Sequence, residues 1–146
     1  MGVNMADIFD VAQYILSKQG SMTTMKLQKL VYYCQAWALV WDSKPLFDDR
    51  IEAWASGPVV PTLYNAHKGK FEIKSLGMGQ PDKLEGYERD TVNAVLDLYG
   101  EKSAQWLSDL THMERPWKEA RKGKKPGENC QKEITHAAMV EYYSSL

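Results

Sequence analysis

The sequence predicts a mainly α-helical domain of about six to seven helices, with a short β-hairpin or extended arm near residues 46–55. Three observations predict it. Apolar residues recur at spacings of three and four in one segment after another. Several of those segments open on Ser, Thr or Asn and close on Gly, as helix caps do. One stiff phrase, Trp54-Ala55-Ser56-Gly57-Pro58-Val59-Val60-Pro61, breaks the pattern near the middle. No repeat, low-complexity tract or linker divides the elements, so residues 1–146 read as one domain.

The first helix is expected from Asn4, as N-cap, to about Ser17, with Ile8, Val11, Ala12, Ile15 and Leu16 on one face and Gly20 as its stop. Thr23 or Thr24 caps a second, central helix. Its stripe of Leu27, Leu30, Val31, Cys34, Trp37, Ala38 and Trp41 is wide, and Lys26, Lys29 and Gln35 are expected on its wetter side. Lys44-Pro45 ends it. Leu46 to Trp54 reads as extended, with Asp48-Asp49 as the turn of a hairpin arm. Gly57-Pro58 marks the exit, and Pro61 opens a helix to about Lys68. Residues 70–86 read as a long loop with one short extended piece near Phe71–Ile73. Helices follow over Arg89–Tyr99, from the Ser103 cap with Trp106, Leu107 and Leu110 inward, from Pro116 through Arg121, and from the Thr135 cap through Tyr143. Arg121 to Lys125 reads as a solvated basic loop.

Composition narrows the function classes. A net charge of −1 argues against a generalised nucleic-acid binder, which would show a basic excess. No apolar run reaches the ~20 residues of a membrane span, and no secretory signal is recognisable, so the expected compartment is the cytoplasm. Cys34 and Cys130 are expected to be free thiols.

No catalytic residue is assigned. Cys34 with His67 or His112 is the one conceivable hydrolase site, but Cys34 falls on the apolar stripe of a helix, where a packed cysteine sits. His67, His112 and His136 lack the spacing of paired metal ligands, and no phosphate-binding loop is present, so neither metal nor cofactor is expected. The five tryptophans are many for this length. Trp37, Trp41 and Trp106 read as core, whereas Trp54 and Trp117 stand beside prolines at element junctions, where rigid aromatics make good interface anchors.

Several phrases read together carry a resemblance. They are Lys26-Leu27-Gln28-Lys29-Leu30-Val31-Tyr32-Tyr33-Cys34-Gln35-Ala36-Trp37, Pro45-Leu46-Phe47-Asp48, Ile51-Glu52-Ala53-Trp54 running into Gly57-Pro58-Val59-Val60-Pro61, Thr111-His112, Pro116-Trp117-Lys118-Glu119-Ala120-Arg121 and Tyr142-Tyr143. In this order they resemble the Panacea domain, the SocA-like or GepA-like phage-associated family of prophages and toxin–antitoxin systems. The resemblance implies an antitoxin, not an enzyme. Its partner would be a cognate toxin protein encoded by an adjacent gene and neutralised by direct protein–protein contact. The alternative it implies is a proteolytic adaptor that delivers the toxin to a protease. A homodimer is compatible with the aromatic count. The residues expected at the partner interface are Trp54, Ser56, Pro58, Tyr64, His67, His112 and Trp117. His67 and His112 also have a plain structural reading, hydrogen bonding to loop carbonyls.

Overall fold

The computed structural model describes residues 6–146. Among them are seven helices: α1 (Ile8–Gln19), α2 (Thr24–Trp41), α3 (Pro61–His67), α4 (Gly86–Tyr99), α5 (Ala104–Met113), α6 (Arg115–Ala120) and α7 (His136–Tyr143). The strands are short: β1 (Met22–Thr23), β2 (Ile51–Trp54), β3 (Gly57–Val59), β4 (Glu72–Ile73) and β5 (Glu133–Ile134). β1 pairs with β4, and β2 lies between β3 and β5, all antiparallel. No helix among the described residues is long and apolar enough to cross a membrane.

Local capping chemistry sets most helix starts. Thr23, Ser103 and Thr135 each accept a hydrogen bond from the backbone N–H three residues on, at 3.1, 3.0 and 3.1 Å. The first helix is capped by Asp7, whose carboxylate exchanges hydrogen bonds with Asp10 in a capping box. The expected cap Asn4 lies outside the described residues.

The middle of the central helix α2 is buried on every side, not along one stripe. Leu27 to Ala36 are all buried, Lys29 and Gln35 included, so these two do not occupy a wet face. Helices α1, α4, α5 and α7 and strand β3 all pack on it. Its polar groups therefore need partners inside the protein. The Gln35 carbonyl oxygen accepts from Leu46 N–H at 2.7 Å, and its amide donates to the Phe47 carbonyl at 2.7 Å. Tyr33 and Tyr143 both donate to Glu114 Oε1 at 2.7 Å. Burial raises the Glu114 pKa, and these two hydrogen bonds pull it back.

Capture by Gln35 explains why no hairpin turn forms at Asp48-Asp49. The backbone at Leu46 and Phe47 is bonded to α2 and is not free to pair. The turn falls instead at Ala55-Ser56, with Trp54 opposite Gly57 and Ala53 opposite Pro58. Pro58 is tolerated because β3 is an edge strand and needs no outward N–H.

Three further expectations are corrected. Trp41 and Trp106 are 45% and 43% exposed, so neither is core; Trp41 stacks on Trp37, and the Lys102 ammonium lies over Trp106. Arg121 is no part of a solvated basic loop. It is buried and donates to the carbonyls of Ala53, Lys125 and Glu128. Cys34 and Cys130 are free thiols, as expected, and Cys130 is buried despite its polar neighbourhood.

Replacing Gln35 by Ala strands buried backbone groups at Leu46 and Phe47, each of which costs about 1–3 kcal/mol unmet. Gln35→Ala is expected to lower stability in urea unfolding by at least about 2 kcal/mol.

Candidate functional site

The hairpin β2–β3 is fastened from behind. On β2, Ile51 and Ala53 face the core while Glu52 and Trp54 face outward, following the period of two. The Trp117 indole donates to the Trp54 carbonyl at 2.8 Å, and Arg121 to the Ala53 carbonyl at 3.0 Å. From α5, the Ser108 hydroxyl donates to the Ser56 carbonyl at 2.8 Å. His112 stacks on Trp117 with ring centres 4.0 Å apart.

In front of the hairpin lies a cavity of about 120 Å³, lined by Thr24, Met25, Gln28, Lys29, Trp54, Ser56, Val59, Tyr64 and His67. Trp54 meets Tyr64 edge-on at 4.9 Å, and Tyr64 meets His67 at 5.5 Å. Trp54 is braced by its own strand, because Glu52 accepts its indole N–H at 2.8 Å and also pairs with Arg50 at 3.0 Å.

Four of the seven residues singled out in the sequence, Trp54, Ser56, Tyr64 and His67, meet at this cavity. The other three do not line it. Pro58 is buried within β3, and His112 and Trp117 stand behind the hairpin as part of its fastening.

The residue that sequence reasoning missed is Lys29. It is 1% exposed, lines the cavity, and has no hydrogen bond or ion pair among the described residues. Burial depresses its pKa from 10.5 to about 8. Its stem passes so close to the hairpin that a Cβ on Gly57 would stand 2.5 Å from Lys29 Cε and 3.2 Å from Thr111 Oγ1. Gly57 also holds φ at +124°, a region nearly closed to other residues. A signal for Lys29 was present in the sequence: Tyr32, Tyr33 and Ala36 lie off the assumed stripe, and a helix apolar all round is a buried one.

Gln28 fixes the state of His67. The Gln28 carbonyl oxygen accepts from Val60 N–H at 2.9 Å, so its amide nitrogen faces His67 Nε2, also at 2.9 Å, and donates to it. Neutral His67 then carries its proton on Nδ1, which has no partner. His67 is held by a side-chain amide, not by the loop carbonyl expected. Burial lowers the pKa of both His67 and His112, and the Lys29 charge lowers them further. Opposing this for His112 is the Ser56 backbone, and its Nε2 is buried without a partner.

The arrangement is a recessed single cation under an aromatic mouth. Cys34 offers no nucleophile: it is fully buried in α2, and burial pushes its thiol pKa up. Among the described residues, no group of three or more His, Cys, Asp or Glu could hold a metal ion.

Two predictions follow from Lys29 and its neighbour. Because the folded-state pKa is depressed, burying the Lys29 charge opposes folding below pH 8, and the penalty fades as pH rises from about 8 to 10.5. Lys29→Met is therefore expected to stabilise the protein at pH 7, by on the order of 3 kcal/mol at most, with the gain vanishing by about pH 10.5 in paired denaturation curves. Gly57→Ala is expected to destabilise by roughly 1–3 kcal/mol through its backbone angle alone, more if Lys29 cannot move aside.

Comparison with known proteins adds one result. A family model described as "Antitoxin SocA-like, Panacea domain" matches residues 27–118, from α2 through the hairpin to α6. No curated protein and no solved structure matches the chain. The matched segment is well over half of the chain and holds the hairpin, Lys29 and Trp117, and on that extent the chain belongs to the SocA-like antitoxin, Panacea domain family.

Proposed function

We propose that this chain is the antitoxin of a toxin–antitoxin pair, binding the toxin encoded by an adjacent gene and neutralising it by direct protein–protein contact. Family membership supports the antitoxin role in general terms. The observation that carries the contact reading is the apolar rim of the cavity. Trp54 and Tyr64 form one side, and Met25, 42% exposed, lines the cavity too. Phe71, 79% exposed, is held beside Thr24 by the bond from Thr24 N–H to its carbonyl at 2.9 Å. Rigid aromatics gathered around a recess lose little entropy on docking and make good anchors.

In this reading Trp54, Ser56, Tyr64 and His67 touch the toxin. Pro58, His112 and Trp117 hold the hairpin that presents them.

Co-expression with the adjacent gene product tests the function. The neighbour alone is expected to arrest growth; with this chain, growth returns, the two proteins co-purify, and toxin half-life is unchanged. A harmless neighbour, or a toxin that this chain neither binds nor restrains, rejects the reading. A shortened toxin half-life would point to delivery to a protease instead.

Trp54→Ala tests the surface. Its indole bonds only to exposed-face Glu52, so the fold is expected to survive. Affinity for the toxin is expected to fall about 30-fold or more, the loss typical of an anchor residue.

A further inference from the structure

The cavity in front of the hairpin contains a cation and no anion. None of its nine lining residues is acidic. The nearest carboxylate on the hairpin, Glu52, is already engaged by Arg50 and by the Trp54 indole. Lys29 is thus a buried charge with no counter-charge among the described residues, an arrangement that proteins normally avoid by pairing. His67, 4% exposed, adds a second unpartnered donor at Nδ1. The fold goes out of its way to keep Lys29 there, since the hairpin gives up a side chain at Gly57 to let the lysine stem through.

We propose that this cavity is a socket for one carboxylate of the partner protein, an Asp or Glu side chain or a C-terminal carboxylate, seated against Lys29 beneath Trp54 and Tyr64. The proposal rests on the antitoxin reading for the identity of the partner. Three features select the occupant. The volume, about 120 Å³, is several times the roughly 30 Å³ of a water molecule, enough for one acidic side chain. A single lysine balances a monoanion, whereas a phosphate dianion would keep a surplus charge. The walls of Met25, Val59, Trp54 and Tyr64 suit the apolar stem that carries such a group. Seated there, one carboxylate oxygen takes the ammonium of Lys29, and the other has the Ser56 hydroxyl and His67 Nδ1–H as available donors, the Thr24 hydroxyl being already engaged by the Lys70 carbonyl. His67 and His112 are the titratable groups that sense the Lys29 charge, and burial together with that charge holds both below the ordinary imidazole range.

The test uses the full chain with ¹³C-labelled lysine, following the Lys29 ε-methylene signal against pH. The free protein is expected to titrate near pH 8. Saturating 3-phenylpropionate is expected to raise that midpoint by at least one unit, equal to a tenfold preference for the charged lysine. The neutral 3-phenylpropionamide is expected to leave it unmoved. No shift with the acid, an equal effect of the amide, or tighter binding of inorganic phosphate overturns the socket. The second arm uses the toxin. Lys29→Met, checked for folding by circular dichroism, is expected to bind it at least about 30-fold more weakly than wild type. A Lys29→Met protein that binds and neutralises like wild type overturns the socket while leaving the antitoxin role intact. A wild-type chain that fails to neutralise its neighbour removes that role, and the lysine titration still decides whether the cavity takes carboxylates.

Discussion

Everything in this fold hangs on one helix whose middle, Leu27 to Ala36, has no wet side. Because α2 is enclosed by α1, α4, α5, α7 and β3, each polar side chain along it must find a partner within the protein or stand as an exception. The partners it finds are the connections. Gln35 captures the strand-like stretch after the helix, and Gln28, two turns earlier on the same face, captures Val60 at the start of α3. Tyr33 reaches Glu114 at the junction of α5 and α6, where Tyr143 of α7 arrives as well. A handful of buried hydrogen bonds thereby decides where the loops run, and the loops decide where the hairpin stands. Lys29 is the exception, and it faces the cavity.

The sequence showed those parts of the fold whose causes are local. The Thr23, Ser103 and Thr135 caps act on the backbone three residues away, and Pro61 starts α3 through its own ring. What escaped were features decided at long range. Strands β1 and β5 have two residues each and carry no periodicity to detect, whereas β4 falls within the extended piece expected near Phe71–Ile73. Asp48-Asp49 has the composition of a turn, but Gln35 had already claimed the backbone beside it. Trp41 and Trp106 have the composition of core and lie half outside, Trp41 stacked on Trp37 and Trp106 under the Lys102 ammonium. The aromatic half of the candidate site was legible as residues near rigid turns. Its charged half was not, since a lysine on a helix is ordinarily a solvent-facing residue and only the burial of the whole helix reverses that expectation.

The cavity also shows how stability and recognition divide within one small domain. Gln28, Gln35 and the Glu114 cluster satisfy one another and add to the fold. Lys29 and His67 Nδ1, which has no partner among the described residues, do the reverse. Groups that weaken a fold are tolerated where they serve a site, and Lys29 with His67 marks the cavity in front of the hairpin as such a place.

The small sheet carries a consequence in time. Strand β2 has β3 beside it in the chain, but its other edge is covered by β5, and Arg50 donates to the Gln131 carbonyl across 81 positions. At ribosomal speeds of about 5–20 residues per second, that edge waits roughly 4–16 seconds for its cover. Through that interval the growing chain presents an open strand beside Trp54. The nascent polypeptide is therefore most open to capture by other strands at the very segment that later forms the mouth of the cavity, and only the last elements to be made close it.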